Sequence, residues 1–463
     1  MLFRDWRQAR LSWADAGNYH GSTRGLSTDS WSFVAFAEDQ GRSPGHEEIR
    51  EYFDGRLKLL STLARRVVDA PAGLDYPYWV RTDMSVDDVV AVYDEPSRSF
   101  DHWLDQMAQR SACGLDSRQH PWRIHVFPGV PAPVGTPGAM TVVVVQASHA
   151  MLVGASLRTL FDTLFAPDAR PLVIEGLPPP AIRPHPVAAA AYGLVRASAR
   201  SIPAAIGLVA TRRALRSMAQ SPGALPGIAG QGRNPIPDRH IRVIHPDLGR
   251  ARGRPRTVTV LGLTAVSFAL ERYYHERDEP YPALTSKAAV PVALGEDAGA
   301  LGVNRLARAL VDLHLGVPDM EERMTAIEQA LAGERARASS PTAIGGLVRN
   351  GREAYPWHRR ELDMVDDVLR AGTVPSVKTV VSSVNCGADV QWSLPWGSFR
   401  FTAGVPSLAP GTEFLHTFIR AGDAFAVTVM GRLHAGESDG AARVDRYVEL
   451  LRECWDGANT IVG

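Results

Sequence analysis

Between residues 46 and 68 the apolar positions Ile49, Phe53, Leu57, Leu60 and Leu63 recur at spacings of three and four. Acids precede them and basic residues follow, so the stretch predicts one amphipathic helix whose charges complement its dipole. "PYWVRTD" predicts a short strand and "FDHWLDQMAQRSA" a second helix. "PWRIHVFPGV" and "TVVVVQAS" predict two strands separated by a Gly/Pro-rich turn. The second run is apolar on both faces, which predicts a central strand covered on both sides. Beyond it, Leu157, Leu160, Phe161, Leu164 and Phe165 fall on one helical face.

From residue 166 the pattern changes. A Pro-rich stretch leads into "VAAAAYGLVRASARSIPAAIGLVATRRALRSMAQS", where Pro203 is expected to split a helical pattern in two. No acid lies between Glu175 and Asp238, yet Arg183, Arg196, Arg200, Arg212, Arg213, Arg216 and Arg233 all do. A solvated pair of inter-domain helices accounts for such a run. Two sharper readings are an anion-binding face and an interfacial helix on an acidic membrane, with Arg196, Arg200, Arg212, Arg213 and Arg216 as the contacts. After the run, "RTVTVLGLTAVSFALERYYHER" predicts a strand start followed by a long helix. "SKAAVPVAL", "SVKTVVSSVNCG" and "AFAVTVMGRL" predict strands, and "MEERMTAIEQALAGERARA" and "AARVDRYVELLRECW" helices. The division expected is an N-terminal subdomain over 1–178, a helical linker over 179–240 and a C-terminal subdomain over 241–463.

At 463 residues the chain exceeds one ordinary core, in keeping with two domains. A formal net charge of zero provides no global field to draw it to nucleic acid. Cys113, Cys386 and Cys454 lie far apart, with neither metal-ligand spacing nor a paired framework, which suits a reducing cytoplasm. The N-terminus lacks an apolar core of signal-peptide length, and nothing approaches the ~18 apolar residues of a spanning helix. No Walker loop, G-x-S-x-G or H-E-x-x-H is present, the 14 histidines are scattered, and neither His149 nor its neighbours has a partner at metal-ligand spacing.

One stretch carries candidate chemistry. "VVVVQASHAMLVGAS" (142–156) ends a buried strand on His149, with Gly154 five residues later. Ligands of α/β folds collect beyond the carboxyl ends of strands. A neutral imidazole there can take a proton from a hydroxyl or amine as it attacks a carbonyl. A satisfied core or turn histidine is the plainer alternative.

The order of several segments adds to this. "SHAMLVG" (148–154) resembles the HHxxxDG motif of the bacterial wax ester synthase / diacylglycerol acyltransferase family. That family shares its fold with peptide-synthetase condensation domains and chloramphenicol acetyltransferase. His149 takes the motif's second histidine and Gly154 its glycine, while Ser148 replaces the first histidine and Val153 the aspartate. "YPYWVRTDMSVDDVV" (76–90), "SRQHPWRIHVFPGV" (117–130), "RNPIPDRHIRVIHPDLGRAR" (233–252), "AAVPVALGEDAGALGVNRLA" (288–307, with Asn304 kept) and "VVSSVNCG" (380–387) are similar to family segments in the same order. The resemblance implies an α/β (α+β) fold of two acetyltransferase-like subdomains in a V with a central tunnel. It also implies an acyltransferase with His149 as general base, with Ser382 and Ser383 on the opposite wall. Donor and acceptor would be an acyl-CoA or phosphopantetheine-linked acyl group on a carrier protein and a small-molecule alcohol or amine, with no permanently bound cofactor and no metal. The motif departures fit specialised metabolism better than storage lipid. The alternatives are a non-catalytic binding member and a tunnel reused for another reaction such as cyclisation.

Overall fold

The computed structural model describes residues 8–24, 29–181, 186–219, 239–248, 256–279, 286–351, 353–370, 379–405, 407, 412–433 and 439–462. Its longer helices are α1 (Trp13–Thr23), α2 (His46–Leu57), α3 (Phe100–Arg110), α4 (Leu157–Phe165), α5 (Pro186–Ala219), α6 (Val258–Glu276), α7 (Met320–Ala338), α8 (Pro341–Asn350), α9 (Tyr355–Arg370) and α10 (Gly440–Val462), and Val86–Val89 forms a single turn. Strands β1 (Asp29–Glu38), β2 (Arg65–Val68), β3 (Tyr78–Arg81), β4 (Val90–Val92), β5 (Trp122–Pro131) and β6 (Ala139–Ser148) precede the long helix α5. After it come β7 (Arg239–Ile244), β8 (Lys287–Ala293), β9 (Leu306–Asp312), β10 (Thr379–Asn385), β11 (Ser393–Leu394), β12 (Gly397–Val405), β13 (Phe414–Ala421) and β14 (Ala424–Arg432).

Two six-stranded sheets result, in the orders β11-β12-β1-β6-β5-β4 and β7-β14-β13-β10-β8-β9, with β2-β3 a separate pair. The valine run is β6, paired antiparallel to β1 on one side and β5 on the other. Its alternation feeds two cores. Val143, Val145 and Ala147 meet Leu160, Phe161 and Leu164 of α4. Val142 and Val144 meet Trp103, Leu104 and Met107 of α3. This second core also takes in Ile241, Leu415 and Met430 of the other sheet, so it joins the two halves. A run apolar on both faces is therefore needed, because both faces are dry. The outer face of the second sheet packs on α6 and α10, with Leu263, Val266, Tyr447, Leu451 and Trp455 in its core.

The halves are not two consecutive blocks of chain. Residues 393–405 return to the first sheet, where β12 pairs with β1 from Trp31↔Val405 to Glu38↔Gly397. Trp392 fixes this return by donating its indole N–H to Asp162 of α4 at 2.7 Å.

Three expectations need correction. The stretch 46–68 is α2, a 3-10 turn over Lys58–Leu63 and then strand β2. Its buried residues sit at helical spacing through Leu57, but the β-branched Val67 and Val68 pair with β3. Helix α5 runs unbroken through Pro203, since a proline removes one hydrogen bond without forbidding continuation when the helix is packed. Ala189 and Tyr192 of α5 pack with Ala9, Tyr78, Val80 and Ala181, and Gly193 lies against the Leu74 carbonyl. Residues 258–276 are helical from Val258, with Thr257 as N-cap accepting from the Val260 N–H, and the described residues Arg256 and Thr257 just before it are not in a strand. Strands β1, β12 and β13 and helix α1 were not expected from the pattern.

Candidate active site

Ser148 closes β6, and the chain turns at once. The Ser148 carbonyl accepts from the Met151 and Leu152 N–H groups at 2.9 and 3.1 Å. The Ser148 hydroxyl accepts from the Ala150 N–H at 3.3 Å and is fully buried. A serine at this position therefore serves the turn, and His149 is the residue the turn presents. Ala150, Met151, Leu152 and Val153 are all buried in the first core. Val153, where the motif has an aspartate, thus anchors the loop by apolar burial.

Gly154 follows, and a Cβ there would sit 3.3 Å from the Val384 side chain of β10. A larger residue would push the motif loop away from β10. Arg158 of α4 strengthens the same junction. Its guanidinium donates to the Cys386 carbonyl just beyond β10, to Asp389 at 3.1 Å, and through Nε to Asp162 at 2.6 Å. Strand alternation puts Ser382 on the β10 face shared by Val380 and Val384, which pack against the cores of the first half. Ser383 lies on the other face with Val381 and is exposed. Of the two serines, Ser382 alone shares the face turned toward the motif half.

Asn304 is the group that meets His149. It follows Gly302, which has φ +71°, and stands just before β9. Its side-chain oxygen lies 3.3 Å from His149 Nδ1, and its Nδ2 donates to the His149 carbonyl at 2.5 Å. The same Nδ2 donates to Asp15 Oδ1 at 2.8 Å. Asp15 stands in the first turn of α1 and is fully buried. Its carboxylate also accepts the backbone N–H groups of Asn304 at 3.2 Å and Val303 at 3.3 Å. Burial pushes the Asp15 carboxyl up to about 6, partly opposed by these hydrogen bonds.

His149 itself keeps part of its surface exposed, and its Nε2 has no partner among the described residues. Burial holds its pKa below the ordinary histidine value, against the contacts with Asn304 and its own carbonyl. The ring is therefore neutral at pH 7 and able to accept a proton. Asp15 was not anticipated. The signal for it is "SWAD": Ser12 followed three residues later by an acid marks a helix start, and Ser12 does accept from the Asp15 N–H at 3.1 Å.

Among the described residues, Arg196, Arg212 and Arg213 of α5 are not partners of His149. Arg196 donates to the Tyr192 hydroxyl at 3.2 Å and lies over that ring. Arg212 and Arg213 are exposed. The side chains of Arg200 and Arg216 lie outside the described residues. Among the described residues no helix is long and apolar enough to cross a membrane.

No protein-family profile matches the chain. Solved structures do resemble it. The wax ester synthase/diacylglycerol acyltransferase from Marinobacter aquaeolei VT8 superposes with TM-score 0.58 at 15% identity, over 94% of this chain and 96% of that one. The first condensation domain of the calcium-dependent antibiotic synthetase gives 0.52 at 14%, over 96% of each. The trichothecene 15-O-acetyltransferase from Fusarium sporotrichioides gives 0.53 at 11%, over 96% and 94%. At such identities the likeness is one of architecture, and the chain accordingly has the two-subdomain, condensation-domain-like fold of the chloramphenicol acetyltransferase type that these proteins share.

Proposed function

We propose that this protein transfers an acyl group from a thioester of coenzyme A or of a carrier protein to a small alcohol or amine, with His149 as general base. One observation carries the reading: an enclosed, neutral imidazole at the end of a central strand has one ring nitrogen engaged and the other unengaged. Two of the fold relatives are named as acyltransferases, which supports the reaction class. The acceptor O–H or N–H proton passes to Nε2 as its oxygen or nitrogen bonds to the thioester carbon. Collapse of the tetrahedral intermediate breaks the C–S bond, and the imidazolium returns the proton to the departing thiolate. A positioned base is worth ~10²–10⁴-fold, and alignment of the two substrates supplies much of the rest. The face of β10 that carries Ser382 and Val384 is the wall along which the substrates would lie. Replacement of two motif residues, at Ser148 and Val153, favours a dedicated acceptor in specialised metabolism.

Thiol release from a panel of acyl-CoA thioesters, with alcohols and amines as acceptors, tests the reading against His149→Ala. Release with some pair that the variant loses supports it. Equal release by both proteins refutes it. Tight acyl-CoA binding with no release from any pair would instead support the non-catalytic binding reading, which Val153 favours by leaving the loop without its acid. A cyclisation would give a product from the acyl-thioester alone.

A peripheral membrane contact has its own support. Val187, Leu194, Val195 and Val209 of α5 are exposed, as are Arg212 and Arg213. An apolar outer face ending in arginines is what an anionic bilayer surface would take. Salt-sensitive co-sedimentation with acidic, but not neutral, vesicles is the expected result, and no sedimentation with either removes this contact.

A further inference from the structure

The most unusual group near His149 is not on its own loop. Asp15 is a fully buried carboxyl with no cation partner among the described residues. Burying a carboxylate without a counter-charge costs stability, and such groups concentrate where a protein uses them. The surroundings are built around it. Gly302 has φ +71°, and a Cβ there would run into the Asp15 carboxylate and Ser12. Gly176 in turn lies so close to the Gly302 carbonyl that it too has no room for a side chain. The Ser12 hydroxyl donates to the Leu301 carbonyl at 2.7 Å, which ties the start of α1 to this loop.

We infer that Asp15 is a positioning residue for the acyl-transfer reading above, acting through Asn304 to hold the proton of His149 on Nδ1. Each link follows from what donors and acceptors can do. An ionised carboxylate only accepts, so the edge of the Asn304 amide turned toward Asp15 must be its NH2. The second hydrogen of that NH2 goes to the His149 carbonyl. The amide oxygen is thereby left facing Nδ1, where it can be satisfied only by an N–H. Nδ1 carries the proton, and the lone pair stays on Nε2. If the carboxylate were lost, only the His149 carbonyl would hold the amide in this sense, and a half turn that gave up that one bond would present NH2 to the ring. The proton would then move to Nε2, where the base must be bare.

In this arrangement an acid on a distant helix does the orienting, at a remove of one amide, in a loop whose own acidic position is Val153. The buried carboxylate is separated from the imidazole by a neutral side chain. It therefore fixes the tautomer without adding a negative charge in contact with the ring, and the histidine stays neutral.

The test reads the ring directly. Nitrogen-15 NMR of histidine-labelled full-length protein reports which ring nitrogen is protonated, with the His149 signal assigned by its loss in His149→Gln. The expected result at pH 7.5 is the Nδ1–H tautomer in the wild type. Asp15→Leu and Asn304→Ala should each shift it toward a mixture containing Nε2–H, while Asp15→Asn, which keeps one acceptor oxygen, should restore most of the Nδ1–H form. With an active substrate pair, Asp15→Leu should lower kcat by ten-fold or more and leave KM within about two-fold. A wild-type ring found as Nε2–H overturns the inference, and this holds even if Asp15→Leu does not fold. So does a folded Asp15→Leu that keeps both Nδ1–H and kcat. The second outcome leaves the general-base reading untouched, and the first removes Nε2 as its resting proton acceptor; that reading is tested separately and fails if His149→Ala keeps thiol release.

Discussion

His149 directly follows a central strand of the first sheet and His416 lies within a central strand of the second, and both are neutral at pH 7. The His416 ring in β13 is completely buried. Its Nδ1 lies 3.2 Å from the Val380 carbonyl and its Nε2 lies 2.8 Å from the Tyr447 hydroxyl, and burial pushes its pKa down to about 4. His125 of β5 is treated alike, with Tyr93 and Gln146 on its two nitrogens. His149 differs in one respect: one nitrogen is committed to Asn304 and the other is left open at a partly exposed edge. An imidazole with both nitrogens satisfied is a strut, and one with a single fixed nitrogen is a reagent. Burial lowers the pKa of all three, so it does not tell them apart.

The largest expected contrast comes from exchanging the two residues' fates. His149→Ala should lower thiol release by ~10²–10⁴-fold with little change in melting temperature. His416→Ala should remove a buried hydrogen-bonded ring and destabilise by about 2–4 kcal/mol, with activity per folded molecule retained. If denaturant titration finds the same stability loss in both, the contrast is wrong.

Glycines adjoining the two sites sharpen it next. A Cβ at Gly262 would enter the Phe418 ring in the second core, and one at Gly302 would enter the Asp15 carboxylate. Each alanine should cost about 1–3 kcal/mol by overpacking, the second more for its positive φ. Only Gly302→Ala should also disturb the His149 tautomer and thiol release; equal loss of turnover per folded molecule in both would dissolve the distinction.

Asp15 has a pH signature of its own. Its folded pKa of about 6 lies above the 3.8 of an unperturbed aspartate, so the folded state holds the proton more tightly. Below 3.8 both states are protonated and the group costs nothing. As pH rises to 6 the cost of ionising it grows to about 3 kcal/mol. Wild-type stability should therefore lose that much between pH 4 and 7, relative to a folded Asp15→Asn protein. Parallel pH–stability curves would contradict it.

The smallest effect belongs to the outer face of α5. Leu194→Asp with Val195→Asp should alter stability by less than ~0.5 kcal/mol, since both side chains are exposed. Vesicle co-sedimentation should fall in the same variant. A shift to a smaller species in sedimentation velocity, with vesicle binding unchanged, would assign the face to a second copy of the chain.

Much of the frame was readable from periodicity. The β6 valines and the α4 stripe bury the positions that the pattern assigns, because local periodicity reports directly which side must leave water, and the charged stretch of α7 is a helix as expected. The N-terminal 40 residues were not readable in this way. β1 contains Asp29, Ser30 and Ser32 among its apolar residues, and it is central because two distant strands flank it. Pro203 misled for a related reason: α5 is held along its first half by packing on Leu74, Tyr78, Val80 and Ala181, which a local rule for proline does not register.

The motif residues His149 and Gly154 were visible in the chain as a strand that ends in a turn, and their departures at Ser148 and Val153 were visible with them. What the sequence determined by itself was this local geometry, since hydrogen bonding within 148–152 needs only near neighbours. Tertiary structure decided what serves the histidine. Asp15, His149 and Asn304 are separated by 134 and 155 residues along the chain, and no spacing rule relates them. They meet because α1 and the 302–304 loop close on the end of β6, and because a glycine at 302 leaves room for a carboxylate.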